Sequence, residues 1–245
     1  NKNHIKIYYI IYIYMTSVLG YKVVGIPKSK SAKKKFIKGK TKNQKQDKRI
    51  KQLEDIVYPS LEWKSKDIIS TAQAITTAGY ENYPMFQLAK GDSNSQREGD
   101  KVSLRYGTFH LTLKKSTADG SNMFRVLMVA TPSATHAGLS DVLEYHNYGT
   151  HGDLVFSSPY QVKATNNEQT YKKLFDKCYE IGADQDKIVD KIKIKLPKRG
   201  VNCEFVGDSS VSPNNYNLSL LVISDSSAAP HPNIAYAMRW KYLDL

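Results

Sequence analysis

Two hundred and forty-five residues, 40% apolar and 11% aromatic with two cysteines, are enough for one substantial domain plus an appendage, or for two small domains. That composition excludes a disulfide-stapled mini-protein, a wholly disordered chain and a multi-pass membrane protein. The net charge of +13 is unevenly placed: residues 1–21 carry Lys2 and Lys6 and no acid, residues 22–51 carry thirteen basic side chains against Asp47 alone, and residues 52–245 carry 21 basic against 22 acidic. Nearly all of the excess therefore sits in about thirty residues, and the rest of the chain is balanced.

The opening NKNHIKIYYIIYIYM has the outline of a signal, with Lys2 and Lys6 ahead of an apolar run, but the run is too short to span a bilayer, which needs ~20 residues. Asn, Lys, Ile and Tyr are the residues of AT-rich codons. Residues 1–14 are accordingly expected to be translation upstream of a start at Met15, with residues 1–20 as a leader at most.

From residue 21 the chain reads YKVVGIPKSKSAKKKFIKGKTKNQKQDKRIK, without helical or strand periodicity and broken by Pro27 and Gly39. So few apolar side chains cannot offset the entropy of ordering it, so residues 21–51 are expected to be unstructured, within a basic arm bounded at residues 21–57. An arm of this kind follows a phosphate backbone without a preset shape, through Lys28, Lys30, Lys33, Lys34, Lys35, Lys38, Lys40, Lys42, Lys45, Lys48, Arg49 and Lys51. Lysine outnumbers arginine and aromatics are scarce apart from Phe36, which suits sequence-blind phosphate neutralisation better than base readout or stacking. A nuclear-localisation tract, a membrane-surface patch and a solvated tail remain open for the same residues.

After a polar segment, residues 52–66, short β-rich runs alternate with Gly, Pro, Asn, Asp and Ser clusters. Strands are expected at 67–77, 101–113, 124–130, 154–162, 171–180, 188–196, 218–224 and 236–243. In the second, Val102, Leu104 and Tyr106, then Phe109, Leu111 and Leu113, are assigned to one face, with a bulge near Gly107 where the parity slips. FRVLMVA (124–130) is apolar throughout, as a strand buried on both faces should be. LSDVLEYHNY (139–148) reads as one or two helical turns capped by Ser140 in a loop crossing between sheets. Many strands without βαβ alternation predict one antiparallel sandwich or barrel over residues 58–245.

Catalytic constellations fail. The six histidines include no HExxH, no Cys-x-x-Cys occurs, and GDSNSQREGD (91–100) lacks the geometry of a phosphate loop. His146 and His151, near Asp141 and Asp153, are assigned to the surface, and the acids Asp184, Asp186 and Asp190 to a solvated loop rather than a Ca²⁺ site. Cys178 and Cys203 are expected to pack as small hydrophobes. No catalytic residue, metal ligand or cofactor is assigned.

Three phrases, QREGDKVSLRYGTFHLTL (96–113), FRVLMVATP (124–132) and YKKLFDKCYEI (171–181), are followed by KIKIKLPKRGVNCEF (191–205), NLSLLVISDS (217–226) and YAMRWKYLDL (236–245). In this order, behind a basic arm, they resemble the single jelly-roll capsid proteins of small circular single-stranded DNA viruses that encode a replication initiator, and more distantly satellite RNA virus coat proteins. The lysine-rich arm departs from the arginine-rich arms of circovirus-type relatives. The resemblance implies an eight-stranded, two-sheet jelly roll that self-assembles into an icosahedral shell of about 60 copies. It further implies a packaged single-stranded genome, DNA favoured over RNA, with no membrane partner, and location in the virion and in the host nucleus during assembly. A single-strand-binding β-barrel that forms no shell is the second reading, with Tyr80, Tyr83 and Phe86 as stacking candidates more at home in a core. A secreted lectin is a third, poorly matched by two cysteines and a lysine arm.

Overall fold

The computed structural model describes residues 46–50, 52, 62–161, 171–197 and 199–244. The chain divides after Ser60, and the second unit, Leu61–Leu245, holds every strand among the described residues. Residues 46–50 and 52 are helical and exposed, a local departure from the unstructured stretch expected over residues 21–51; the rest of the arm lies outside the described residues. NQKQDKRIKQLEDI (43–56) contains no Gly or Pro and is rich in Gln, Lys, Arg, Leu and Glu, residues that lose little freedom in a helix.

Nine strands make two antiparallel sheets: β1 (Trp63–Ala74), β2 (Tyr80–Asn82), β3 (Lys101–Lys114), β4 (Asn122–Thr131), β5 (Lys172–Ile181), β6 (Lys187–Lys195), β7 (Val201–Glu204), β8 (Asn217–Ser224) and β9 (Asn233–Asp244). One sheet runs β1-β9-β3-β6, with β7 continuing the β6 edge along the start of β3; the other runs β2-β8-β4-β5. Except at β4–β5 and β6–β7, successive strands pass back and forth between the sheets, so strands distant in sequence become neighbours. Two interlocked Greek keys of this order are a jelly roll. The eight principal strands match the expected fold, and β7 is a ninth, short addition.

Alternation explains the core. In β9 every second residue, Ile234, Tyr236, Met238, Trp240 and Tyr242, is buried, and Phe109, Leu111 and Leu113 of β3 meet them. From the facing sheet come Phe124, Val126 and Met128 of β4 and Leu218, Leu220 and Val222 of β8. Strands β4 and β8 are buried on both faces, because the long β4–β5 connection lies over the outside of their sheet. Leu139, Val142, Leu143 and Tyr171 there cover Leu127, Val129 and Leu221 in a second, smaller core.

Several expectations are corrected. Residues 154–161 are not a strand: Gly152–Val155 is a 3-10 turn, and the segment pairs only through an isolated Leu143–Tyr160 bridge. Its Val155 and Ser158 carbonyls accept hydrogen bonds from Arg125 Nη1 at 2.7 and 3.2 Å instead of joining a ladder. The expected helix shrinks to two single turns, Leu139–Val142 and Tyr148–His151. Gly138, not Ser140, is the N-cap, and the Asp141 carboxylate accepts from the Gly138 N–H at 2.9 Å. The connection spans one sheet rather than crossing between two, since β4 and β5 are paired neighbours.

The bulge in β3 falls between Leu104 and Tyr106, not at Gly107, and it turns Tyr106 outward to 46% exposure. Gly107 answers another need. It lies opposite Trp240 on β9, and a Cβ there would stand 2.5 Å from the indole Cζ3. The ring cannot yield, because Nε1 donates to the Met85 carbonyl at 2.7 Å and Phe86 packs edge-on at 6.2 Å. Gly107→Ala is expected to destabilise the domain by about 1–3 kcal/mol through overpacking, read as a lower urea midpoint at unchanged m-value; a wild-type midpoint would contradict the packing described.

Candidate nucleic-acid interface

Unlike its partner, the five-stranded sheet has an outer face that no other described residue covers. In β6, KIVDKIKIK, Ile188, Ile192 and Ile194 turn inward while Lys187, Val189, Lys191, Lys193 and Lys195 turn out. Register carries this row across the sheet. Lys195 lies opposite Tyr106, whose other neighbour is Lys241; Lys193 lies opposite Thr108, which is flanked by Arg239; Lys191 lies opposite His110; and Lys187 lies opposite Lys114. Arg239 in turn faces Asp67 on β1. The outer positions of the five strands thus hold eight basic side chains, Lys101, Lys114, Lys187, Lys191, Lys193, Lys195, Arg239 and Lys241, against two carboxylates, Asp67 and Glu204, the latter 3.0 Å from Lys101.

A shallow groove of ≈ 600 Å³ opens on this face. Small side chains, Thr108 and Ala237, leave room at its centre, and His110, Lys191, Arg239, Asp67 and Ile69 surround them. Arg239 Nε and Nη2 each donate to an Asp67 carboxylate oxygen at 2.6 Å. Those bonds hold the Asp67 carboxyl below its ordinary value. At one end of the face Trp63 and Tyr106, 43% and 46% exposed, contact each other with ring centroids 6.3 Å apart. Cations beside open aromatic rings are the chemistry that attracts phosphates and stacks bases.

Most other polar clusters serve the structure. Arg125 forks onto Asp176, which also accepts from the Tyr160 hydroxyl, all beneath the β4–β5 connection. Asp190 turns inward and accepts from Lys177 Nζ at 2.8 Å and Tyr179 at 2.7 Å, tying β6 to β5. Lys64, its side chain wholly buried, reaches Glu98 at 2.7 Å and Asp244 at 3.1 Å. Among the described residues no three of His, Cys, Asp and Glu gather as a metal site. His146 and His151 are half-buried, the latter against Tyr145. Cys203 is buried as expected, its thiol pushed up to about 12 by burial, whereas Cys178 is exposed on β5, correcting its assignment as a core residue.

Of the twelve arm residues expected to bind nucleic acid, Lys48 and Arg49 are described, both exposed and helical. Lys28, Lys30, Lys33, Lys34, Lys35, Lys38, Lys40, Lys42, Lys45 and Lys51 lie outside the described residues, as do residues 1–20 and residue 162. Of the proposed stacking residues, Phe86 is in the core and Tyr80 packs against it, while Tyr83 is 39% exposed and stacked on His136. The basic sheet face was missed. Its signal was present in the alternating KIKIK of β6, but Tyr106 was placed inward because the parity slip was set two residues late.

No family model and no curated protein matches the chain. Solved structures similar to it include a chain of desmodium yellow mottle tymovirus, 10% identical with a TM-score of 0.34, the match covering 75% of this chain and 88% of that one. The Israel acute paralysis virus pentamer is similar at 8% identity and TM-score 0.34 over 74% of this chain and 68% of that one. Triatoma virus is similar at 14% identity and TM-score 0.25 over 75% and 62%. The jelly-roll assignment itself rests on the strand order and register described above.

Proposed function

We propose that the protein is a non-enzymatic viral capsid protein. Its jelly roll tiles with copies of itself into a small icosahedral shell of about 60 subunits, and its lysine-rich arm, residues 22–51, packages a single-stranded genome, DNA in preference to RNA. The observation that carries this reading is the pairing of a two-Greek-key sandwich with an excess of twelve positive charges in the thirty residues before it. A shell needs a rigid tile whose overall charge does not repel its neighbours, and cargo retention needs a dense polycation. Exposed Val206 and Val211 on the loop between β7 and β8 supply apolar contact points for a neighbouring copy. Residence in the virion, and in the host nucleus during assembly, belongs to the same reading.

Electron microscopy of the purified protein with and without single-stranded DNA is expected to show closed particles of uniform size, and persistent monomers under all conditions would overturn the shell. Binding should weaken steeply with salt, with a log–log slope near −8 if all twelve net charges engage a single strand at about −0.7 each. A flat response would remove the electrostatic basis of packaging. The exposed Trp63–Tyr106 pair favours one second reading, a single-strand-binding protein that coats nucleic acid without closing a shell. Microscopy separates the two.

A further inference from the structure

We infer that the outer face of the five-stranded sheet is itself a single-strand nucleic-acid site, with phosphates following Lys191, Lys193, Lys195, Arg239 and Lys241 and a base stacking on Trp63 and Tyr106. This deepens the packaging reading: it rests on the polyanion half of that proposal and is independent of the shell.

Charge segregation is the first argument. Residues 52–245 are balanced in sum, yet eight basic side chains share this face with two carboxylates, Asp67 and Glu204, which are paired with Arg239 and Lys101. Edge strands commonly carry lysine to block unwanted pairing, and β6 is an edge. That need does not extend to Arg239 and Lys241 on β9 or Lys114 on β3, which are interior strands. Lys114 and Lys187 stand directly opposite each other, an arrangement that destabilises a free sheet and is relieved by a bound polyanion.

Spacing and coverage agree. Alternate residues of a strand lie about 6.8 Å apart, comparable to successive phosphates in an extended single strand, and Lys191, Lys193 and Lys195 are placed so. The four-stranded sheet has its outer face covered by the β4–β5 connection, whereas among the described residues this face is open. The aromatic pair decides between single strand and duplex. Trp63 and Tyr106 are exposed beside Lys195 and Lys241, and only an unpaired base can leave its neighbours to lie on them.

Intrinsic fluorescence offers a direct test in the full-length protein, because Trp63 and Trp240 are its two tryptophans and Trp240 is wholly buried. Titration with oligo-deoxythymidylate of about 16 nucleotides is expected to give saturable quenching that disappears in Trp63→Phe. Tyr106→Ala should weaken binding roughly 10-fold at an unchanged salt slope. Lys191→Gln/Lys193→Gln/Lys195→Gln should bring the slope about 2 closer to zero; these exposed side chains leave the core untouched, which a wild-type melting temperature will verify. Binding seen by anisotropy with no quenching, and a wild-type slope in the triple variant, would overturn the sheet site while leaving packaging by the arm intact. Equal quenching by a duplex would overturn the stacking, and equal quenching by polyglutamate would assign the face to an acidic protein. Absence of any binding by the full chain would defeat the packaging reading as well.

Discussion

Asp176→Ala is expected to lower the unfolding free energy by about 3–5 kcal/mol. Arg125 is 4% exposed, and its Nε and Nη2 donate to the two Asp176 oxygens at 3.1 and 2.8 Å. Without the carboxylate a guanidinium remains buried with the Val155 and Ser158 carbonyls and Tyr160 as neighbours and no negative charge to offset its own. Replacing both members, Arg125→Met with Asp176→Leu, should recover much of the loss, because no charge is then stranded. Urea denaturation of the single and double variants checks this; a double variant less stable than Asp176→Ala would refute it.

The same carboxylate gives a pH dependence. Burial alone would raise the Asp176 carboxyl, but the bonds from Arg125 and Tyr160 outweigh burial and hold it below the ordinary value of 3.8. A group depressed in the folded state contributes stability above its unfolded pKa and loses it as pH falls through the folded value. Asp67, Asp119 and Asp190 are depressed too, mainly by hydrogen bonds from Arg239, Asn122 and Lys177. Stability should therefore hold at neutral pH and decline below about pH 4, less steeply in Asp176→Asn. A constant unfolding free energy from pH 5 to pH 2 would contradict this.

Arg97→Leu should cost about 3 kcal/mol, since three part-buried carbonyls lose a charged donor at about 1 kcal/mol each. The Arg97 side chain is fully buried, donating through Nη1 to the Gly99 carbonyl at 2.7 Å and Asp100 at 2.9 Å, and through Nη2 to the Gly207 and Ser210 carbonyls at 2.7 and 2.9 Å. Its guanidinium also lies over the Phe205 ring at 4.5 Å. It thereby pins the 91–100 turn to the loop that carries Val206 and Val211. Arg97→Lys should rescue little, because an ammonium cannot reproduce the fork. Faster hydrogen exchange in residues 206–211 of either variant, with the remaining strands protected, is the specific signature. Unchanged exchange there would show that the loop is held by other means, and wild-type assembly of a loosened variant would remove this loop from the shell contacts.

Legibility followed pattern length. Strands of eight or more residues with clear alternation or continuous apolarity, β3, β4, β6, β8 and β9, stand where the sequence places them to within a few residues. β2 and β7, of three and four residues, are too short for any period to declare itself, and each exists because a neighbour, β8 or β3, offers it a ladder. LVFSSPY was mistaken for a strand because apolar residues near Val155 suit either state, and what chose the turn was a guanidinium from β4 claiming its carbonyls. Arg97 looked like one polar residue in a polar turn; its burial depends on a loop more than 100 residues away.

The chain's linear order alone dictated the charge contrast between arm and body, the all-β class and the inward or outward sense of most side chains, because charge count and a two-residue period are local properties. Which outward rows would lie side by side was not local. Rolling the sheets up set β3 between β6 and β9, and the β4–β5 connection covered one sheet while, among the described residues, the other stayed bare. Lysines and arginines balanced in the sum by distant acids were thereby gathered onto one open surface, since the fold conserves total charge but decides where each charge is displayed.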